Sequence, residues 1–345
     1  MSICAWPAEE LEFVPNCPVC GSPDRSPLYK GMTDRVFGVA DGAWDLYRCA
    51  DCASGWLDPR PSPESIGRAY ENYYTHVSED DVSMQPKSAL VRQLHAWQND
   101  YKNARYGLRR KPASFGGRWL VPLIPSLRAK ADAQCRHMIR PPIGGGRLLD
   151  VGFGSGAFLE VAGEMGWNAE GIDFDPKAVE LAKARGLNVS CVSAANLTKQ
   201  ENEYDVITLS HVIEHVYDPV PLLSDLYRLL KPGGVLWLET PNLESCGAQR
   251  FGANWRGLEI PRHLLLFNAR SLRRVVSQVG FNKISQHWHA MVLFSIYTES
   301  NAIADGKSAI EASPQILPSL VAVIDELREM LRPARREFLT FTACK

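Results

Sequence analysis

The sequence predicts an α/β fold, a doubly wound parallel sheet set behind a small cysteine-bound module. Three observations predict it. Two C-x-x-C pairs stand near the N-terminus, Cys17/Cys20 and Cys49/Cys52. A short apolar run at 148–151 enters a turn with glycine at alternate positions, Gly152, Gly154 and Gly156. Beyond it, apolar segments of strand length alternate with stretches of helical period, the pattern of β-α-β units whose ligands bind at the carboxyl ends of the strands.

The bulk numbers narrow the class. At 345 residues and 45% hydrophobic, the chain can bury one large core and a satellite domain. A formal charge of −1 gives the surface as a whole no attraction for a polyanion. The opening "MSICAWPAEELEF" is acidic and lacks a basic segment followed by an apolar run, so it does not read as a signal peptide. No apolar run approaches the ~20 residues of a membrane helix, and a cytoplasmic location is expected.

In order along the chain, the cysteines come first. A C-x-x-C turn brings two thiolates to one ion, and small residues after each pair, Gly21 and Ala53, keep the turn tight. Two such turns supply the closed tetrahedral set of a structural Zn2+, whose work is folding and placement. The module is expected over 1–62. Cys4, Cys135, Cys191, Cys246 and Cys344 are isolated and read as small apolar fillers. Residues 63–143 form a helical lid or linker interrupted at Pro112 and Pro125. There Lys87, Arg92, Lys102, Arg105, Arg109, Arg110 and Lys111 are set against Asp100, either as a solvated face or as a platform for an anionic substrate. The apolar "WLVPLIP" nearby suits a lipid carrier or a second subunit.

The core is expected over 144–345. Its second strand ends at Asp173, and Pro176 opens a helix that stops at Gly186. "LNVSCVSA", "EYDVITLSHVIEH" and "KPGGVLWLETPN" carry the third, fourth and fifth strands. A helical insertion at about 293–334 precedes the last strand, "REFLTFTACK", and insertions of this length shape acceptor sites or dimer contacts.

His211-x-x-Glu214-His215 matches an inverted zinc-protease signature, which needs its histidines in mid-helix. Here the motif follows the apolar run "VITL" on the lip of a parallel sheet, so a hydrolase is set aside. The glycine pattern also differs from the G-x-G-x-x-G that seats a pyrophosphate. With Asp150 before it and Asp173 after, it suits a sulfonium nucleoside, which has no phosphate and whose ribose diol a carboxylate can accept.

The segments "LLDVGFGSG", "GIDFDP", "YDVITLSHVIEH" and "LKPGGVLWLETPN" resemble successive motifs of the class I S-adenosylmethionine-dependent methyltransferases, continuously over 144–281. The resemblance implies a Rossmann-like seven-stranded sheet. It brings Gly152, Phe153, Gly154 and Gly156 to S-adenosylmethionine by their backbone and Asp150 to its amino-acid part. It sets Asp173 on the ribose, Phe174 against the adenine, and Ala194, Ala195 and Asn196 along the adenine edge. Ser210 and His211 finish the pocket beneath the sulfonium. Three tyrosines in "AYENYYTH" would close over the cofactor.

For the chemistry, the chain resembles zinc-carrying sugar methyltransferases, which implies His215, backed by Glu214, as general base. Ubiquinone-pathway O-methyltransferases carry a related E-x-x-E-H segment, which implies a divalent ion at His211, Glu214 and His215. His263 is a second candidate base, and Trp255, Arg256 and Arg262 offer an aromatic platform and two anion-binding forks. His287 and His289 read as surface residues or metal ligands. The expected activity is methyl transfer to O or C of a small-molecule acceptor, a sugar and anionic. The alternatives are an RNA methyltransferase with a zinc module and a quinone or phenol O-methyltransferase.

Overall fold

In the computed structural model of the chain, residues 6–70, 88–138, 140–197, 201–312 and 319–345 are described. Its N-terminal module contains β1 (Leu11–Glu12), β2 (Arg25–Met32), β3 (Trp44–Cys49), β4 (Gly55–Leu57) and β5 (Arg60–Pro61). Next come α1 (Ala89–Tyr106), α2 (Gly117–Leu120) and α3 (Pro125–Gln134). The core runs β6 (Arg147–Val151), α4 (Ala157–Glu164), β7 (Asn168–Asp173), α5 (Pro176–Ala184), β8 (Val189–Cys191), β9 (Tyr204–Ser210), α6 (Pro219–Leu229) and β10 (Leu230–Pro241). It continues with α7 (Cys246–Phe251), β11 (Leu265–Leu266), α8 (Ala269–Gln278), β12 (Asn282–His287), α9 (Leu293–Ala304), α10 (Leu320–Leu331) and β13 (Phe338–Cys344).

Seven strands form the main sheet in the order β12-β13-β10-β9-β6-β7-β8. β13 runs antiparallel between β10 and β12, while β6 through β10 pair in parallel. Both faces are covered, so the central strands are apolar on both sides, and side-chain alternation deals their residues to two cores. Leu149, Ile207, Leu236 and their two-on neighbours Val151, Leu209 and Leu238 meet Leu223 and Leu226 of α6 and Leu272 and Val276 of α8. Leu148, Val206 and Trp237 face the other way, against Ala131 and Cys135 on the α3 side and Ala162 of α4. The helices behind the strands start where acids and proline dictate. Asp175 and Asp218 cap α5 and α6 with their side chains, and a proline follows each.

The module is joined to the core by backbone pairing. β11, a piece of core sequence, extends the module sheet to β11-β4-β3-β2, with Leu265 opposite Trp56 and Leu266 opposite Gly55. On the other side, α2 packs on α1 so closely that a Cβ at Gly117 would lie 2.1 Å from the Trp97 carbonyl oxygen. Only glycine permits that approach.

Late in the chain, α10 is inverted relative to a normal surface helix. Asp325, Glu326 and Glu329 are buried, and Leu320, Ile324, Leu327 and Leu331 are exposed. Asp325 holds the helix to the core by accepting from Arg250 and from the Tyr297 hydroxyl at 2.8 Å each. Among the described residues no helix is long and apolar enough to cross a membrane.

Candidate active site

The carboxyl ends of β6 and β7 build one side of the site. The chain leaves β6 through Gly152, Gly154 and Gly156, all at positive φ (68°, 55° and 77°), the left-handed region that glycine enters freely. At Gly152 space is also decisive, since an added Cβ would lie 2.3 Å from a methyl of Val212. The turn folds back on Asp173, whose two oxygens accept the N–H groups of Gly154 (3.1 Å) and Asp175 (3.0 Å). An ionised carboxylate has about four acceptor sites, so two remain for a diol. Burial pushes the Asp173 carboxyl up, against the pull of those two N–H groups. A pocket backed by glycine and offering a buried carboxylate fits the ribose of S-adenosylmethionine.

Around it, Phe174 is 71% exposed, with the Tyr70 ring 5.7 Å away, edge to face. Ala194, Ala195 and Asn196 form a short turn after β8, Ala194 buried and the other two exposed. Phe153 points away from the cleft and packs inside with Leu159, Val179 and Val189, so only its backbone is available to a ligand. Asp150 is fully buried. One oxygen accepts from Thr208 (2.7 Å) and from Arg136, whose guanidinium lies 3.8 Å over the Phe158 ring. The other oxygen has no hydrogen-bond partner among the described residues.

The carboxyl ends of β9 and β10 build the other side. Ser210 ends β9, and the next residue, His211, takes a left-handed conformation (φ 52°). Its ring is clamped between two buried acids, with Nδ1 3.2 Å from Glu214 and Nε2 3.5 Å from Glu239. Burial lowers the affinity of this imidazole for a proton, but the two carboxylates outweigh it and raise the pKa to about 10. His211 is therefore an imidazolium at neutral pH and has no lone pair with which to act as base. Glu214 also accepts from Thr240 (2.9 Å), and Glu239 from His289 (3.0 Å) and Thr340 (2.5 Å).

His215 lies in the following turn. Its Nδ1 is 2.9 Å from the carbonyl of Arg262 and 3.0 Å from the Tyr70 hydroxyl. A ring nitrogen facing a carbonyl must carry the proton, which leaves Nε2 with its lone pair. The neighbour that sets the tautomer is thus a backbone carbonyl, and the carboxylate of Glu214 is engaged by His211 and Thr240 instead. His263 packs 4.8 Å from His215, ring to ring, and donates from Nδ1 to the carbonyl of Gly257 (2.8 Å). Burial depresses its pKa to about 4. One ligand atom each from Glu214, His215 and His263 falls within 4.8 Å of the others, a spacing that also admits a divalent cation.

The expected anion forks are already spent. Arg256 pairs with Glu259 and Glu299, Arg262 pairs with Asp34, and the Trp255 indole is buried with its N–H on Glu337. Tyr73, Tyr74 and Lys87 lie outside the described residues. His287 is half-buried, stacked on His137 and bonded to Thr342, and His289 belongs to the Glu239 network.

Other cations lie near Ser210 and Glu239. A cavity of about 500 Å3 is lined by Lys102, Lys111, Arg110 (paired with Glu164) and Arg136 (paired with Asp150), together with Ser210, Trp237, Glu239 and His289. Arg136 and Glu239 went unread in the sequence. Glu239 had a signal: it is an acid closing the otherwise apolar strand "VLWLE". Arg136 had none.

In the module, the four sulfurs converge. Cys17 and Cys52 Sγ are 3.6 Å apart, and Cys20 and Cys49 Sγ 3.5 Å. Metal–sulfur bonds of ~2.3 Å in a tetrahedron put sulfurs about 3.8 Å apart, so the set fits zinc. The two turns repeat each other. Gly21 and Ala53 donate to the carbonyls of Cys17 and Cys49, and both are at positive φ.

Residues 127–286 match the family model for a methyltransferase domain. The ubiquinone biosynthesis O-methyltransferases of Thiobacillus denitrificans and Xylella fastidiosa are 34% identical over 110 residues and 32% over 151 residues. Those stretches cover 30% and 41% of this chain and 47% and 61% of the two proteins, so the chain spans about half the length of the curated relatives it matches. Among solved structures, an S-adenosylmethionine-dependent methyltransferase from Archaeoglobus fulgidus is 24% identical, with a TM-score of 0.42 over 59% of this chain and 87% of that one. Strand order and sequence match agree on one answer: residues 127–286 carry an S-adenosylmethionine-dependent methyltransferase domain of the class I fold.

Proposed function

We propose that the protein methylates a hydroxyl, or an acidic carbon, of a small anionic acceptor of the sugar class, with His215 as general base. The observation that carries the chemistry is the Nδ1 contact of His215 with the Arg262 carbonyl. It fixes the tautomer in which Nε2 can take the acceptor's proton. Bound S-adenosylmethionine supplies an electrophilic methyl carbon and departs as a neutral thioether. The chain's own part is to hold the ribose through Asp173, to keep the approach line open with glycine, and to remove the proton at Nε2. Alignment of this kind is worth up to roughly 7–11 kcal/mol in ideal cases, and a positioned base about 10²–10⁴-fold.

Lys102 and Lys111, which line the cavity beside Ser210 and Glu239, support an anionic acceptor, such as a nucleotide-linked or phosphorylated sugar. A phenolic hydroxyl is the second reading, favoured by the names of the curated relatives. Screening nucleotide sugars, sugar phosphates and hydroxylated aromatic acids with labelled donor, then locating the methyl group by NMR, tests both. Turnover confined to uncharged acceptors would overturn the anionic reading. RNA draws support only from the basic patch, against an overall charge of −1. The cysteine set is proposed to hold a structural zinc, since its spacing and paired turns suit that ion.

A further inference from the structure

Arg262 is the most completely enclosed cation described in the molecule, and its partners come from segments far apart in the chain. Its two terminal nitrogens donate to Asp34 of the module at 2.7 and 3.1 Å. One of them also donates to the carbonyl of Ala69 (2.9 Å), and Nε donates to Glu259 (3.3 Å). The Phe37 ring lies 4.3 Å from the guanidinium. Asp34 is fixed in its turn by the N–H groups of Val36, Phe37, Val39 and Ala40, so the loop closes around its carboxylate.

A buried ion pair of this kind adds little net stability over apolar residues of the same volume, and its usual consequence is to specify one arrangement. Here the arrangement converges on His215. The two atoms bonded to Nδ1 of His215 are the carbonyl of Arg262 itself and the hydroxyl of Tyr70, the residue after Ala69. Two residues on, Leu264 donates to the carbonyl of Glu214 (2.8 Å), and Leu265 and Leu266 pair with β4 of the module. Segment 262–266 is thus gripped on one side by the module and on the other by the turn that carries His215.

We infer that Arg262, anchored by Asp34, is a positioning residue through which the cysteine module sets the tautomer and place of His215. The inference rests on the reading of His215 as base, because only there does the tautomer have a chemical consequence. It assigns the module a part in the reaction beyond stabilising its own fold.

The test is spectroscopic and needs no acceptor. The metal-loaded full chain, labelled with 15N-histidine and saturated with S-adenosylhomocysteine, is examined by long-range 1H–15N correlation at neutral pH, and His215 is identified by its loss in His215→Gln. The expected wild-type pattern is Nδ1–H. Arg262→Met combined with Asp34→Asn removes the ion pair while leaving an amide oxygen to accept from the loop N–H groups, and circular dichroism checks that the protein is folded. In it the Nε2–H form should rise to at least a third of the population, while calorimetry shows S-adenosylhomocysteine affinity within about twofold. Asp34→Asn, nearly isosteric, should shift the same way by less. Arg262→Lys, which keeps the charge but not the fork, should fall between wild type and the double variant. A folded double variant that keeps the wild-type tautomer overturns the inference, and if that protein does not fold, Asp34→Asn with an unchanged tautomer does so. His215→Gln with undiminished methyl transfer would instead remove the base reading, leaving the tautomer result to stand by itself.

Discussion

The two sides of the cleft are built by opposite means. On the side proposed for the cofactor, Asp173 is held by the backbone N–H groups of Gly154 and Asp175, and three glycines clear the space. On the acceptor side, side chains answer side chains across long separations: Glu239 with His211 and His289, Arg262 with Asp34, His215 with Tyr70. Backbone donors survive most substitutions nearby, whereas a charge network fails when one member is removed. The cofactor side is therefore expected to tolerate change around it, and the acceptor side to depend on the module.

The largest effect that would sharpen this contrast comes from removing the zinc proposed for the cysteine set. Structural zinc carries on the order of 10–16 kcal/mol of apparent binding energy in small cysteine modules. Chelation, or Cys49→Ser, should abolish the module's melting transition and strip β11 of its partner strand, since Leu265 and Leu266 pair with β4. Affinity for S-adenosylmethionine, measured by calorimetry, should fall by less than tenfold. Loss of both together would show that the two sides are not separable.

Next in size is the base. His215→Ala should lower turnover about 10²–10⁴-fold with cofactor affinity nearly unchanged. Wild-type rates would leave alignment as the whole of the catalysis. Asp173→Ala acts on the opposite side. Hydrogen bonds to a charged group are worth roughly 1.5–3 kcal/mol each, so the loss of two should weaken S-adenosylmethionine by about 10²–10⁴-fold, and the melting temperature should fall as well because the Gly154 and Asp175 N–H groups lose their acceptor. Unaltered binding would refute the ribose assignment.

The same contrast explains what the sequence could show. The turn after β6, the acid ending β7 and the alternation of strands and helices are local: their periodicity and spacing are visible in a window of a few residues. The seven-stranded order follows once those elements are placed. Partner choice among charges is not local. With 38 basic and 39 acidic residues, nothing in the string says that Arg262 will find Asp34, which lies 228 positions away. Arg256 and Arg262 accordingly read as open forks and are closed in the structure. Phe153 stands among the glycines in sequence, and only the structure shows that its side chain belongs to the core under α4 and α5. Glu214 stands next to His215 in sequence, yet the turn sends its carboxylate to His211 and Thr240.

The smallest expected effect lies where the two sides meet, at His211. Its imidazole is protonated between Glu214 and Glu239 with a pKa raised to about 10, against 6.5 unfolded. A group whose folded pKa lies above its unfolded value binds more protons when folded, so its stabilisation is full below about pH 6.5 and is lost as pH rises through 10. Because the side chain is 37% exposed, solvent screening reduces the contribution to on the order of 1–2 kcal/mol. Between pH 7 and 10.5 the wild-type melting temperature should therefore drop by a few degrees more than that of His211→Gln, which lacks the titrating charge. Equal slopes for the two proteins would mean that the clamp is neutral and that Glu214 or Glu239 carries the proton instead. The lips of β9 and β10 would then be joined by a shared carboxyl hydrogen, and the acceptor side would lose the fixed positive charge at its centre.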